Sequence, residues 1–195
     1  MRKRWMRVAL ATLLVLAGGS TAAATERFDD AVGDVVGDAP DIVAVTVSEP
    51  DEGSLIRFEI EFTRERPFGT DMDTWTDGIF VLMADQPALD ERGILAEGHY
   101  LTGTHGITLP MQEQTGAFLL TPTDMYTYVV DVDSAGPLLV FTFDRKLMED
   151  PRELHFQVLV GTERDGAPEG AEPEGDMYPD EGEAPAYYAL GLSGR

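Results

Sequence analysis

The sequence has 195 residues, no cysteine, and 36 acidic residues against 14 basic ones, which gives a net charge of −22. This excess of negative charge argues against nucleic acid as a partner, since phosphate backbones are bound by clusters of Lys and Arg. The lack of cysteine excludes a disulfide framework and a lipid-modified cysteine.

Residues 1–24 have the pattern of a secretory signal peptide. Four basic residues precede an apolar run at residues 8–17, and small residues lead up to Ala24. The run is too short to be a membrane-spanning helix. We therefore expect cleavage after Ala24, a secreted or periplasmic protein, and no integral membrane segment in the mature chain. Cleavage removes four basic residues and no acidic ones, so ten basic residues would face 36 acidic ones, a net charge of −26.

An acidic, glycine-bearing stretch follows the predicted signal peptide. Its five aspartates are Asp29, Asp30, Asp34, Asp38 and Asp41. Gly33 and Gly37 permit the tight backbone that lets several carboxylates converge. Hard cations such as Ca²⁺ take six to eight oxygen ligands. The stretch therefore predicts a metal site formed by these five residues, with Ca²⁺ as cofactor, and the alternative is a solvated acidic segment.

Two strands are predicted directly after this stretch, at residues 41–48 and 54–63. In the second, Ile56, Phe58, Ile60 and Phe62 alternate with Leu55 and charged residues, which is typical of a strand with one buried face. Residues 49–53 supply the proline, acidic and glycine residues of a reversing connection. We expect an antiparallel pair.

Further strand patterns occur at residues 78–85, part of 100–109, 117–121, 125–131, 138–144, 153–162 and 187–192. About nine short strands with almost no helical periodicity predict one all-β domain over residues 25–195, an antiparallel β-sandwich of jelly-roll or immunoglobulin-like type. A hairpin connection is expected at residues 133–137. Residues 163–186, rich in Glu, Pro and Gly, predict a flexible acidic loop before the last strand, ordered only at 176–180.

Short motifs at both ends of the chain resemble a known group of domains. Residues 30–34 (DAVGD) and 39–42 (APDI) open a valine-rich strand, and residues 176–180 (DMYPD) precede the aromatic pair at 187–188. This pattern is similar to secreted bacterial β-sandwich domains related to family 9 carbohydrate-binding modules and DOMON-like domains. The resemblance implies a jelly-roll-like sandwich that often holds calcium and sometimes binds sugars or haem.

The sequence carries no motif that fixes a reaction, since it has no G-x-S-x-G elbow and 36 acidic residues make chance carboxylate pairs inevitable. We therefore expect a monomeric, non-catalytic module, and the resemblance implies that it binds a glycan or a cell-surface component. Four aromatic residues are the candidates for a sugar platform: Trp75, Tyr100, Tyr126 and Tyr128. The alternatives are an interaction protein without a small ligand, a hydrolase, or a haem- or metal-binding redox domain. The redox domain would use His99 and His105 with Met83 or Met111.

Overall fold

The structure of the protein is a computed structural model. It describes residues 25–35, 37, 39–64, 79–84, 105–109, 117–121, 125–162, 174–180 and 182–191. The predicted signal peptide lies outside these residues, as do Asp38, Trp75 and Tyr100.

The described part of the chain is all-β, as the sequence predicts. Its strands are β1 (Thr25–Asp29), β2 (Ile42–Ser48), β3 (Leu55–Phe62), β4 (Ile79–Ala84), β5 (His105–Leu109), β6 (Ala117–Leu120), β7 (Met125–Ala135), β8 (Leu138–Asp144), β9 (Glu153–Thr162), β10 (Glu174–Tyr178) and β11 (Ala186–Ala189). Two short helices accompany them, α1 (Pro50–Gly53) and a 3-10 helix (Arg145–Met148). Neither of these, nor any other helix among the described residues, has the length and hydropathy needed to span a bilayer.

Ten strands form one antiparallel ladder in the order β1-β2-β3-β8-β7-β6-β5-β4-β9-β10. The strand β11 also pairs with β9, along residues 153–156, whereas β10 pairs with residues 158–162 of the same strand. The predicted antiparallel pairing of residues 41–48 with 54–63 is confirmed by β2 and β3, in which Val45 lies opposite Ile60.

The structure adds two strands to the nine that the sequence predicts. The strand β1 has the sequence TERFD, which lacks apolar alternation, and it is mostly exposed. The strand β10 lies within the predicted flexible loop at residues 163–186. Both form because each pairs its backbone with an edge that another strand already presents, β2 for β1 and β9 for β10.

The hairpin between β7 and β8 is tighter than predicted. The strand β7 continues through Ala135, which lies opposite Leu138, so the turn contains only Gly136 and Pro137. Gly136 has φ 59°, in the left-handed region that glycine adopts without steric cost. The predicted connection at residues 133–137 is therefore largely strand.

The sheet curls so that its two ends meet around a shared core. The ring of Phe156 on β9 packs edge-on against Phe28 of β1 and Phe58 of β3, with ring centroids 5.2 and 5.3 Å apart. The apolar residues that alternate along β8 and β9 are buried in the same core as Phe58 and Phe62. This curling brings the connection between β1 and β2 next to β10.

Candidate metal centre

The candidate site lies where the β1–β2 connection meets β10 and the residues after it. Strand β10 contacts β2 directly, and the backbone N–H of Ile42 donates to Asp176 Oδ2 at 2.5 Å. Five carboxylates converge here, three from the connection and two from the C-terminal segment: Asp30, Asp34, Asp41, Asp176 and Asp180.

The five carboxylates form two overlapping triads. The outer triad is Asp30, Asp34 and Asp180, and the inner triad is Asp34, Asp41 and Asp176. In each triad, one oxygen from every carboxylate lies within 4.8 Å of the others. Asp34 takes part in both, so the two triads are adjacent.

Backbone hydrogen bonds hold the inner carboxylates in place. Gly33, with φ 98°, donates its N–H to Asp41 Oδ2 at 3.0 Å. Asp176 accepts from the N–H of Ile42 and, through Oδ1, from the N–H of Met177 at 2.8 Å. Since a side chain at Gly33 would be strained at this φ, the glycine is needed for the bend that turns its N–H toward Asp41.

Two carboxylate oxygens at the site are buried and have no hydrogen-bond partner. One is Asp41 Oδ1, on a residue that is 7% exposed, and the other is Asp30 Oδ2. A buried polar atom without a partner destabilises the folded state, because it has lost its water without a replacement. One unsatisfied oxygen therefore belongs to the inner triad and one to the outer triad.

The pKa values of three carboxylates at the site are raised, chiefly by burial and further by neighbouring negative charges. Burial, with contributions from the charges of Asp176, Asp34 and Asp180, raises the pKa of Asp30 to about 7. Burial likewise raises the pKa of Asp176 to about 6, against the lowering effect of its two backbone hydrogen bonds. The pKa of Asp180 is also raised, first by burial and then by the charge of Asp34. Ionising Asp30 and Asp176 in the folded state is therefore less favourable than in water unless a cation neutralises them.

A chelated sample should become less stable as the pH rises from 5 to 7.5. Unfolded aspartates lose their protons near pH 4, whereas Asp176 and Asp30 keep theirs until about pH 6 and 7 in the folded state. The folded protein therefore binds more protons across this window, and the free energy of unfolding falls as the pH rises through it.

Melting midpoints in excess chelator test this pH dependence. The variant Asp30→Asn should flatten the fall near pH 7 and raise the midpoint at pH 7.5, while Asp29→Asn should do neither. A midpoint that stays constant or rises between pH 5 and 7.5 contradicts the prediction.

Of the five aspartates predicted from the sequence, the structure brings Asp30, Asp34 and Asp41 together. Asp29 belongs to neither triad: it is exposed on β1, and its Oδ1 accepts from Arg27 Nε at 2.7 Å. Asp38 lies outside the described residues.

Two members of the site, Asp176 and Asp180, were not in the predicted metal set. Their motif DMYPD is visible in the sequence, and it carries half of the resemblance to the carbohydrate-binding and DOMON-like domains. The sequence does not reveal that this motif contacts the β1–β2 connection, because Asp176 accepts a hydrogen bond from the N–H of Ile42, 134 residues away in the chain.

Four of the predicted glycan and redox residues lie on strands β4, β5 and β7, and the other four lie outside the described residues. Tyr126 and Tyr128 lie on β7, with Tyr126 opposite Leu119, and Trp75 and Tyr100 are among the residues not described. For the redox alternative, Met83 is fully buried in the core opposite His105 on β5. His99 and Met111 lie outside the described residues.

Chemically, the cluster offers only oxygen atoms in crowded, partly dehydrated positions, which suits a hard divalent cation.

Comparison with known proteins identifies no relative of the chain. No protein-family model matches the chain, no curated protein matches it, and no solved structure matches it.

Proposed function

We propose that the protein is an exported, non-catalytic module of the β-sandwich type in which Ca²⁺ joins the β1–β2 connection to β10. The convergence of five carboxylates from two segments far apart in the sequence carries this proposal. The buried, unpartnered Oδ1 of Asp41 supports it, because a cation is the partner that such an oxygen needs. The resemblance in motifs to calcium-holding sandwich domains points the same way.

The spacing of the oxygens is compatible with calcium, and the irregular arrangement of the carboxylates favours it over magnesium. Three oxygens no more than 4.8 Å apart lie within about 2.8 Å of a common centre, a distance that accommodates the Ca²⁺–oxygen range of roughly 2.3–2.6 Å. Mg²⁺ requires roughly 2.0–2.1 Å in a strict octahedron and gives up its waters reluctantly. Backbone hydrogen bonds hold Asp41 and Asp176, which limits how far these two carboxylates can adjust to a strict octahedron.

The proposed role of the cation is to close the curled sheet. Asp41 directly precedes β2, and Asp176 lies on β10 at the other end of the ladder. In the absence of a cation, their charges repel across the same contact that the Ile42–Asp176 hydrogen bond holds. A bound Ca²⁺ turns this repulsion into attraction, so the folded state alone provides the site.

Saturating Ca²⁺ should therefore raise the melting midpoint by several degrees relative to chelator at fixed ionic strength. A ligand that binds only the folded state stabilises it by about 2.7 kcal/mol at one hundred times its Kd. For a domain of this size, each kcal/mol shifts the midpoint by roughly 2–4 °C.

The matched variants for this experiment are Asp41→Asn, which keeps the shape of a ligand but removes its charge, and Asp29→Asn, the exposed neighbour of the site. Asp41→Asn should lose most of the rise and Asp29→Asn should retain it. Mg²⁺ at the same concentration should give a smaller rise. If Ca²⁺ does not change the melting midpoint, or if Asp41→Asn keeps the full rise, the calcium site is refuted. The aspartates would then form only a solvated acidic segment.

The partner that we propose for the module is a glycan or another surface component. The resemblance supports this, together with Tyr187, which is 48% exposed and packs against His155 with ring centroids 5.1 Å apart. Exposed aromatic rings are the surfaces on which sugars stack. A glycan array probed in Ca²⁺ and in chelator tests the partner; a flat response in both favours an interaction protein without a small ligand.

A further inference from the structure

We propose that the carboxylate cluster holds two cations side by side, an inner one in the triad Asp34, Asp41 and Asp176 and an outer one in the triad Asp30, Asp34 and Asp180, with Asp34 as the shared ligand. This inference rests on the proposed function and adds the number, positions and rank of the bound ions.

The geometry supports two positions, because the two triads share only Asp34 and each has two further carboxylates of its own. Each also contains its own buried oxygen without a hydrogen-bond partner, Asp41 Oδ1 in the inner triad and Asp30 Oδ2 in the outer triad. A single ion bound by Asp41 and Asp176 would leave Asp30 Oδ2 without a partner, because Asp30 is grouped only with Asp34 and Asp180. Two ions satisfy both.

The charge of the cluster also favours two ions. Five ionised carboxylates carry five negative charges, so one Ca²⁺ leaves three of them uncompensated in a partly buried site. A second Ca²⁺ reduces the remainder to one. Charges interact more strongly at sites that water screens poorly. The negative charge that remains after the first ion binds therefore still attracts a second cation.

Burial ranks the two positions. In the inner triad, Asp41 and Asp176 are buried and are oriented by backbone N–H groups. In the outer triad, Asp30 is half-buried, while Asp34 and Asp180 are exposed. The inner ion therefore gives up more of its water and binds more tightly, and the outer ion keeps several waters and exchanges faster.

The test is the stoichiometry of Ca²⁺ in the full mature chain, measured by native mass spectrometry and by calorimetric titration of chelated protein at pH 7.5. We expect two Ca²⁺ ions per chain, bound with unequal affinities. Asp180→Asn should weaken the second ion by about tenfold or more while leaving the first nearly unchanged. Asp34→Asn should weaken both. Glu183→Gln, an exposed neighbour of Asp180 outside both triads, should weaken neither.

Terbium luminescence gives a second readout that does not depend on stability. Lifetimes in H₂O and D₂O should resolve one ion with few bound waters and one with several, and Asp180→Asn should remove the more hydrated component. Because Asp180 is exposed, this variant should fold even if changes at Asp176 do not.

The outcomes separate this inference from the proposed function. One Ca²⁺ per chain, or an Asp180→Asn variant that still binds two ions with unchanged affinities, overturns the two-ion site and leaves the calcium-joined module intact. No bound Ca²⁺ at all overturns both.

Discussion

Replacing Glu49 with alanine should lower the free energy of unfolding by about 3–5 kcal/mol, because it leaves the buried guanidinium of Arg145 without its counter-charge. The two side chains are each 3% exposed and form an ion pair, with Arg145 Nη1 3.1 Å from Glu49 Oε2. A charge held in such surroundings is costly when its partner is removed, whereas the same pair on the surface would contribute little.

The network around this pair joins three distant parts of the chain. Glu49 Oε1 accepts from the N–H of Gly191 at 2.8 Å and from the hydroxyl of Tyr188 at 3.2 Å. Arg145 donates through Nη1 to the carbonyl of Gly191 at 2.6 Å and through Nη2 to the carbonyl of Pro151. The C-terminal segment, the 3-10 helix and the β2–β3 connection therefore depend on one carboxylate.

The same carboxylate anchors a strained connection. Directly after Glu49, Asp51 and Glu52 adopt left-handed backbone angles, with φ of 51° and 57°. Such angles cost roughly 1–2 kcal/mol for a residue other than glycine. Losing Glu49 thus removes contacts at the point where the backbone needs external support.

Urea unfolding of Glu49→Ala measures the effect. The control is Glu26→Ala, an exposed substitution on β1, which should change the free energy of unfolding by less than about 0.5 kcal/mol. The double variant Glu49→Ala/Arg145→Met should recover part of the loss, because it no longer buries an unpaired charge. Recovery should be incomplete, since Tyr188 and Gly191 still lack their acceptor. A single variant within about 1 kcal/mol of wild type would show that the pair is not buried as described.

Replacing Phe156 with alanine should cost a similar amount, about 3–5 kcal/mol, through the transfer free energy of the ring and the cavity left behind. Phe156 is fully buried, and its ring contacts Phe28, Phe58 and Tyr178. These partners belong to β1, β3 and β10, so this side chain packs the two ends of the sheet against each other.

The change should also weaken the proposed binding of Ca²⁺, although Phe156 is not one of the proposed ligands. Phe28 lies two residues before Asp30, and Tyr178 lies two residues after Asp176, so the cavity loosens both segments that supply carboxylates. Phe156→Leu, which keeps most of the apolar volume, should lose less stability and retain most of the affinity. Titration with Ca²⁺ and urea unfolding measure the two effects. If Phe156→Ala is destabilised but its Ca²⁺ affinity is unchanged, packing around Phe156 does not position the carboxylates, and the prediction is wrong.

Local pattern was enough to predict most of the strands, because alternation records which side chains face the core. The residues of β8 and β9 that alternate as apolar, such as Phe141 and Val158, are buried in the structure. The aspartates of the β1–β2 connection could likewise be predicted as potential ligands, since Asp30, Asp34 and Asp41 lie close together in the chain with Gly33 between them.

Tertiary structure alone decided how these elements meet. The strands β1 and β10 are specified by the edges that they pair with, and no apolar period marks them. The ion pair of Glu49 with Arg145 spans 96 residues, and the hydrogen bond from Ile42 to Asp176 spans 134. Contacts at such separations depend on the order of strands in the ladder and on the curl of the sheet. Side-chain periodicity states which face a residue occupies, but it does not state which strand lies beside it or which ends of the sheet meet.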